Sequence, residues 1–300
     1  MRLPEPWLRY PYLLTSARAA VSGTRGPFAV VRARRGEIVA ERGALRIVFR
    51  EVEPRRAAVL FRRGELDDAP MPLGDIRAAQ LDPRVRGAVR VTPLLGVDTV
   101  AFALDGSLGD LPNTRRAYAA TLDRGDYQAL VPEFQADAAT SLVPGYAPTR
   151  TRARDFRTVR ARIASLPPVA VGVGADTDVR YGRDLLVAVW RNVGLRARPG
   201  GTDARLTRVL APYPQDEGVL ARLYVDGNAC VRRALGAALR TLRQTDALRR
   251  ADDACSGWLA PVAWVADARF VSPRLAGWRE DRTGFVDYSR VRFRASTRRP

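Results

Sequence analysis

The stretch that most constrains this chain is a short apolar run, Val169-Ala170-Val171-Gly172-Val173, followed by an amphipathic segment and then by Gly194-Leu195-Arg196-Ala197-Arg198. An apolar run of that length, bounded by turn residues, reads as a buried strand. The segment after it, capped by Asp176-Thr177-Asp178, places Leu185, Leu186, Val189, Trp190 and Val193 on one helical face and stops at Gly194, a usual C-cap residue. Strand, helix and second strand make a βαβ unit, in which a crossover helix covers a parallel sheet. The expected fold class is therefore α/β.

Other elements follow from the same periodicities. From Phe28 the pattern is strand-like, through residues 28–31, 38–41 and 45–49, the last with period two. Ala57, Leu60 and Phe61 form a short helix ending at Gly64, and a strand pair is expected at residues 89–91 and 97–104. Glycine, aspartate and proline at 106–112 mark a passage between domains. Asn113-Thr114 can cap a helix bearing Tyr118 and Leu122, and Asp123 a second one bearing Tyr127, Leu130 and Val131. An Arg-rich helix over 150–162 has Val159, Ile163 and Leu166 as its apolar stripe, and strands are expected at 261–270 and 286–293. Residues 5–25, with Trp7, Tyr10 and Tyr12 among prolines, are irregular and suit packing against a further segment.

Three hundred residues are enough for two domains with buried cores, and 46% hydrophobic residues with no low-complexity tract predict an ordered chain. No apolar run approaches the ~18 residues needed to span a bilayer, so no membrane insertion is expected. Residues 1–6 contain no apolar core of a signal peptide, so nothing in this polypeptide directs export. The net charge of +18 comes from arginine alone, without Lys or His, and the arginines are spread along the chain. The densest run alternates with apolar helix positions, which is the pattern of a solvated face; no nucleic-acid partner is expected.

The missing residue types exclude much chemistry. Without His there is no Ser-His-Asp triad, no Cys-His dyad and no His-ligated metal; without Lys there is no Schiff base and no P-loop lysine. The chain is not expected to be an enzyme, and neither a cofactor nor a metal is implied. Gly172-Val173-Gly174 lacks the third glycine of a dinucleotide loop, residue 177 being Thr, and Asp176 would repel phosphate. A tight strand-to-helix turn accounts for it.

Cys230 and Cys255 lie on two successive helices. Asn228 caps the first, with Val231, Leu235, Leu239 and Leu242 at helical spacing; Asp246 caps the second, with Leu248, Cys255 and Leu259. In a hairpin turning near Gln244-Thr245 the thiols lie roughly 21 and 15 Å from the turn at 1.5 Å per residue, toward the same open end. They form either one bridge or two buried thiols.

Five stretches occur in a characteristic order: Gly26-Pro27-Phe28; Gly64-Glu65-Leu66-Asp67; Arg115-Arg116-Ala117 through Leu122-Asp123-Arg124; Asn192-Val193-Gly194-Leu195; and Ser272-Pro273-Arg274-Leu275-Ala276-Gly277-Trp278, followed by Asp287-Tyr288-Ser289. Together they resemble the later part of the pattern of solute-binding protein family 5, the peptide/nickel class of ABC-importer binding proteins. The resemblance runs from about residue 5 to residue 295. It implies a two-lobed class II periplasmic-binding-protein fold, with lobe I formed by residues 1–105 and 261–300 and incomplete at its N-terminus, and lobe II by residues 106–260.

The resemblance also implies where a ligand would sit. In oligopeptide-binding relatives a second-lobe loop carries a carboxylate that pairs with a peptide amino terminus; Ala211-Pro212-Tyr213-Pro214-Gln215-Asp216-Glu217 stands in that place, with Asp216 the better match and Glu217 the other. A solvated acidic loop is the plainer reading. Met71, Asp98 and Trp264 mark the other edges of the implied cleft, Trp264 being either cleft wall or core. The implied role is capture of a small solute, a peptide first within the family's range, and its delivery to an ABC-transporter permease at the cell-envelope exterior or in the periplasm. The alternatives are an intracellular ligand-sensing domain of a transcriptional regulator and a truncated paralogue that binds nothing.

Overall fold

Two long strands divide this chain into two compact units, with boundaries at residues 93/94 and 265/266. The computed structural model describes residues 27–71, 75–103, 112–122, 138–144, 165–173, 180–239, 244–255 and 257–294. The aromatic segment 5–25, the passage at 106–112 up to residue 111, the helix bearing Tyr127, the Arg-rich helix over 150–162 and the Asp176-Thr177-Asp178 cap lie outside those residues.

In the smaller unit, β1 (Ala29–Arg34), β2 (Glu37–Arg42) and β3 (Leu45–Arg50) form an antiparallel meander. The β2–β3 turn contains Gly43 at φ 56°, a left-handed conformation in which a side chain is strained. Helix α1 (Pro54–Arg62) begins with proline at its first position, and the Glu53 carboxylate accepts the N–H groups of Arg55 and Arg56 at 3.0 Å. It ends as expected before Gly64, at φ 75°. Strand β4 (Asp68–Pro70) and helix α2 (Ile76–Leu81) complete this part. The core gathers Ala57, Ala58, Ala69, Met71, Ile76 and Phe270, with the Phe61 and Phe270 rings stacked 5.1 Å apart.

Strand β5 (Val89–Phe102) leads into the larger unit, which adds α3 (Pro112–Ala120), β6 (Val169–Val173), α4 (Arg180–Asn192), β7 (Ala197–Pro199) and β8 (Ala204–Leu210). Strand β6 is parallel to both β7 and β8, and β8 is antiparallel to β5 from Gly96↔Leu210 to Phe102↔Ala204. The βαβ unit is thus present as read from the sequence. On one sheet face Val100, Val171, Leu186, Trp190 and Leu206 pack together. Trp190 is fully buried, sits edge-to-face on Tyr118 at 5.2 Å, and donates its indole N–H to the Tyr118 carbonyl at 3.2 Å. Truncating such a residue to alanine costs about 3–5 kcal/mol.

The opposite face carries Val97 and Val209, because successive strand residues alternate sides. They pack under α5 (Gly218–Val225), α6 (Ala229–Leu239) and α7 (Gln244–Cys255). Asn228 accepts the Val231 N–H at 3.1 Å and so caps α6. Cys230 and Cys255 are bonded as a disulfide, with Cα atoms 5.8 Å apart, which holds the start of α6 beside the end of α7. Strand β9 (Leu259–Val271) follows, and its end pairs with β4 in the smaller unit, Asp68↔Val271 through Pro70↔Arg269. The chain then forms β10 (Leu275–Ala276) and β11 (Arg292–Phe293), a two-residue antiparallel pair.

Two expectations differ from these elements. The two strands expected at 89–91 and 97–104 are one continuous strand, Val89–Phe102, since Pro93 precedes the β5–β8 ladder and its missing N–H costs that ladder nothing. Residues 286–293 form an isolated bridge at Val286, a short 3₁₀ turn at Tyr288–Arg290 and only then β11. The turn arises because the Asp287 carboxylate accepts the Ser289 N–H at 2.9 Å, a local bond that competes with a strand ladder.

Candidate functional site

The loop 211–217 of the larger unit is held at both ends by close backbone approach. The Ala211 N–H donates to the Leu95 carbonyl of β5 at 2.7 Å. At the other end a Cβ on Gly218 would come 2.5 Å from the Ala211 Cβ, so the loop closes onto α5 only over glycine. Tyr213 and Glu217 are buried in this loop and Asp216 is exposed. Asp216 and Glu217 stand just before the first turn of α5, where a negative charge is favoured by the helix dipole.

Asp98 lies on β5 directly opposite Arg208 of β8. Only 2% of it is exposed, and both carboxylate oxygens accept from the guanidinium, at 2.9 and 3.0 Å. Such a bidentate pair fixes geometry as well as charge. Trp264 on β9 is half-buried against the cluster under α5–α7. Met71 is a core residue of the smaller unit, its N–H bonded to the Ala268 carbonyl at 2.9 Å. The fold therefore brings Tyr213, Asp216 and Glu217 onto one loop tied to β5 three residues before Asp98, and puts Met71 in the other unit.

A second polar constellation, in the smaller unit, was not singled out from sequence. Asp68 accepts from Arg269 Nε at 2.9 Å, Trp278 Nε1 at 2.9 Å and the Tyr288 hydroxyl at 2.6 Å. Its neighbour Asp67 pairs with Arg274 at 2.8 Å, while the Ser272 N–H donates to the Asp67 carbonyl at 2.8 Å. Three of the motifs read from the sequence thus converge: the Gly-Glu-Leu-Asp turn, the Ser-Pro-Arg-Leu-Ala-Gly-Trp step and Asp-Tyr-Ser. The Asp67 and Asp68 carboxylates are satisfied by these partners, so the motifs build a clasp. The available signal was the pair of adjacent acids after Leu66 and the two hydrogen-bonding aromatics, Trp278 and Tyr288, far downstream.

Beside that clasp Glu280 is buried, 7% exposed, and neither carboxyl oxygen makes a hydrogen bond of good geometry among the described residues. Burial, and then the adjoining Asp267 carboxylate, push its pKa up to about 7, against weaker opposing effects of Thr92 and Arg269. In the larger unit the buried Arg115 guanidinium lies 3.4 Å over the Trp258 ring. Among the described residues no group of His, Cys, Asp and Glu could hold a metal ion, and no helix is long and apolar enough to cross a membrane.

Neither a family profile nor a curated protein matches the chain. Solved structures do. OppA of Haemophilus influenzae, solved in complex with RPPGFSPFR, superposes with a TM-score of 0.74 over 97% of this chain and 72% of its own length, at 13% identity. The murein tripeptide binding protein MppA of Escherichia coli gives 0.73 over the same shares at 12% identity. This chain has the α/β fold of the class II periplasmic binding proteins. NikA of Brucella suis, solved with Fe(III)-EDTA, shares that periplasmic-binding-protein fold at a TM-score of 0.70, covering 90% of this chain and 68% of NikA at 15% identity. All three are named as binding proteins or solved with a bound molecule, and at these identities the likeness is one of fold.

Proposed function

We propose that this chain is the solute-binding component of an ABC importer, that its solute is a peptide, and that it hands the solute on without transforming it. The observation that carries this reading is the superposition along 97% of the chain on OppA, solved with a peptide, and on a protein named for binding a murein tripeptide. The ordered motifs of the sequence point the same way. The reading places the protein at the cell-envelope exterior or in the periplasm, with a membrane permease as partner; the Cys230–Cys255 disulfide is in keeping with an oxidising compartment. The lobe assignment of 1–105 with 261–300, and 106–260, belongs to the same proposal.

Within it, Asp216 is the carboxylate that meets the peptide's amino terminus, being the exposed acid of its loop, and Trp264 offers apolar surface. Tyr213, Glu217, Asp98 and Met71 then shape and brace the surroundings, as their burial requires. The experiment is a thermal-shift screen with di- to hexapeptides. A ligand at 100 times its Kd adds about 2.7 kcal/mol of apparent stability. A shift with one peptide class supports the reading, and no shift with any of them overturns it.

A further inference from the structure

We propose that the smaller unit carries a separate binding pocket for a small phosphate monoester bearing a planar group. The pocket is a cavity of about 330 Å³ whose lining includes Gly87, Arg90, Ser272, Leu275, Trp278 and Arg294. Its chemistry is cationic. Among the described residues neither Arg90 nor Arg294 pairs with a carboxylate, whereas the neighbouring Arg269 and Arg274 are both neutralised, by Asp68 and Asp67. Arg90 is also held in place: one terminal amino group donates to the carbonyls of Gly87 at 3.0 Å and Val89 at 2.8 Å, which leaves its other donors for a ligand. Arg294 is fixed at its backbone by the bond from its N–H to the Arg274 carbonyl at 2.8 Å.

Ser272 supplies a neutral donor. It is 8% exposed, and its hydroxyl oxygen accepts from the Arg274 backbone N–H at 3.3 Å and from Arg274 Nε at 3.4 Å. With its lone pairs so engaged and no acceptor for its own O–H among the described residues, the hydroxyl is left able to donate to an anion. Two guanidinium groups and a hydroxyl match the charge and the oxygen count of a phosphate dianion, which arginine binds through paired N–H donors. The space exceeds what phosphate alone fills, since small-molecule sites begin at about 300 Å³. Trp278 lines the cavity, its indole held in orientation by the N–H bond to Asp68 at 2.9 Å, and it supplies the aromatic surface that a planar group on the phosphate would use. Gly87 forms part of the lining, and a Cβ there meets nothing within 4 Å, so the cavity is open at that point.

The test is calorimetric titration of the full chain, at fixed ionic strength, with phenyl phosphate, inorganic phosphate, benzoate and benzyl alcohol. One equivalent of phenyl phosphate is expected to bind, inorganic phosphate and benzoate more weakly, and benzyl alcohol not at all. Arg90→Ala and Arg294→Ala should each weaken phenyl phosphate by about tenfold or more, the loss of a charge-assisted hydrogen bond. Gly87→Phe, which fills the cavity without removing a charge, should abolish binding and leaves the question decidable if an arginine variant fails to fold. Arg46→Ala, on an exposed position of β3, should leave affinity unchanged. Absence of saturable binding, equal binding of benzoate, or an equal loss in Arg46→Ala overturns the proposal, the last because it marks diffuse attraction to a basic surface. Peptide binding is independent of all these outcomes.

Discussion

The Tyr288 hydroxyl donates to the Asp68 carboxylate at 2.6 Å, joining residues 220 positions apart in the chain. Three donors converge on that carboxylate, from Arg269, Trp278 and Tyr288, and only 9% of its side chain is exposed. The clasp therefore closes the two sequence-distant parts of the smaller unit on each other. Burial and then the Asp68 charge raise the Tyr288 pKa above its ordinary value, so the phenol stays a donor throughout the physiological range.

Removing one side of this clasp should cost unequally. Tyr288→Phe deletes one hydrogen bond and is expected to lower the unfolding free energy by about 1–2 kcal/mol. Asp68→Ala takes the acceptor from an indole N–H and a phenol and the nearer of its two carboxylates from Arg269, and should cost about 3 kcal/mol. Urea unfolding of the two variants checks the order; equal losses would show that the carboxylate is not the hub.

Glu280 should make stability depend on pH. Its folded pKa, about 7, lies above its ordinary value of 4.5, so the folded state binds the proton more tightly than the unfolded chain. The stabilising contribution is complete below about pH 4.5 and is lost as pH rises through 7. A tenfold change in proton affinity is worth about 1.4 kcal/mol, and solvent reaching the partly exposed Asp267 weakens that carboxylate's share of the effect, so a loss of about 2 kcal/mol is expected across that window. Unfolding free energies of the wild type and Glu280→Gln, measured from pH 4.5 to 7.5, should converge at the low end and diverge at the high end in favour of the variant.

Local signals were enough for the βαβ unit, for the Asn228 cap and for the glycine ends at Gly64 and Gly194, because each depends on residues within a few positions of one another. What the sequence could not convey was partnership at long range. Nothing near Asp98 announces Arg208, and nothing near Asp68 announces Tyr288, since a charge buried in a pair and a charge in water read alike in one chain. Pro93 leaves β5 unbroken for a related reason: proline breaks a strand only where its absent N–H is needed, and that depends on which neighbour pairs there. The candidate residues show the same division. The loop bearing Tyr213, Asp216 and Glu217 was implied by the family resemblance, but which of the three faces solvent is decided by its contact with β5 and α5.

The Cys230–Cys255 bridge closes a loop of 25 residues, and Cys255 is fully buried. Constraining the unfolded chain over that length stabilises by about 3 kcal/mol. Replacing both cysteines by alanine should lower the unfolding free energy by that amount, and the wild type in dithiothreitol should match the variant. A reduced wild type as stable as the oxidised one would show that helix packing alone holds α6 and α7 together.

Asp98 and Asp216 should separate stability from recognition. Asp98 is buried and paired, so Asp98→Ala leaves Arg208, itself one-fifth exposed, without that carboxylate and should cost about 2 kcal/mol in unfolding free energy. Asp216 is exposed, and a surface substitution such as Asp216→Asn should change stability by less than about 0.5 kcal/mol. If Asp216 meets a peptide ammonium, the same substitution lowers affinity about tenfold for a peptide with a free amino terminus, and leaves an N-acetylated peptide of the same sequence unaffected. The acetylated peptide is the decisive control, because a general weakening of the fold would reduce both affinities together. Equal affinity of Asp216→Asn and wild type for the free peptide would remove Asp216 from the binding surface while leaving the solute-binding reading to the peptide screen.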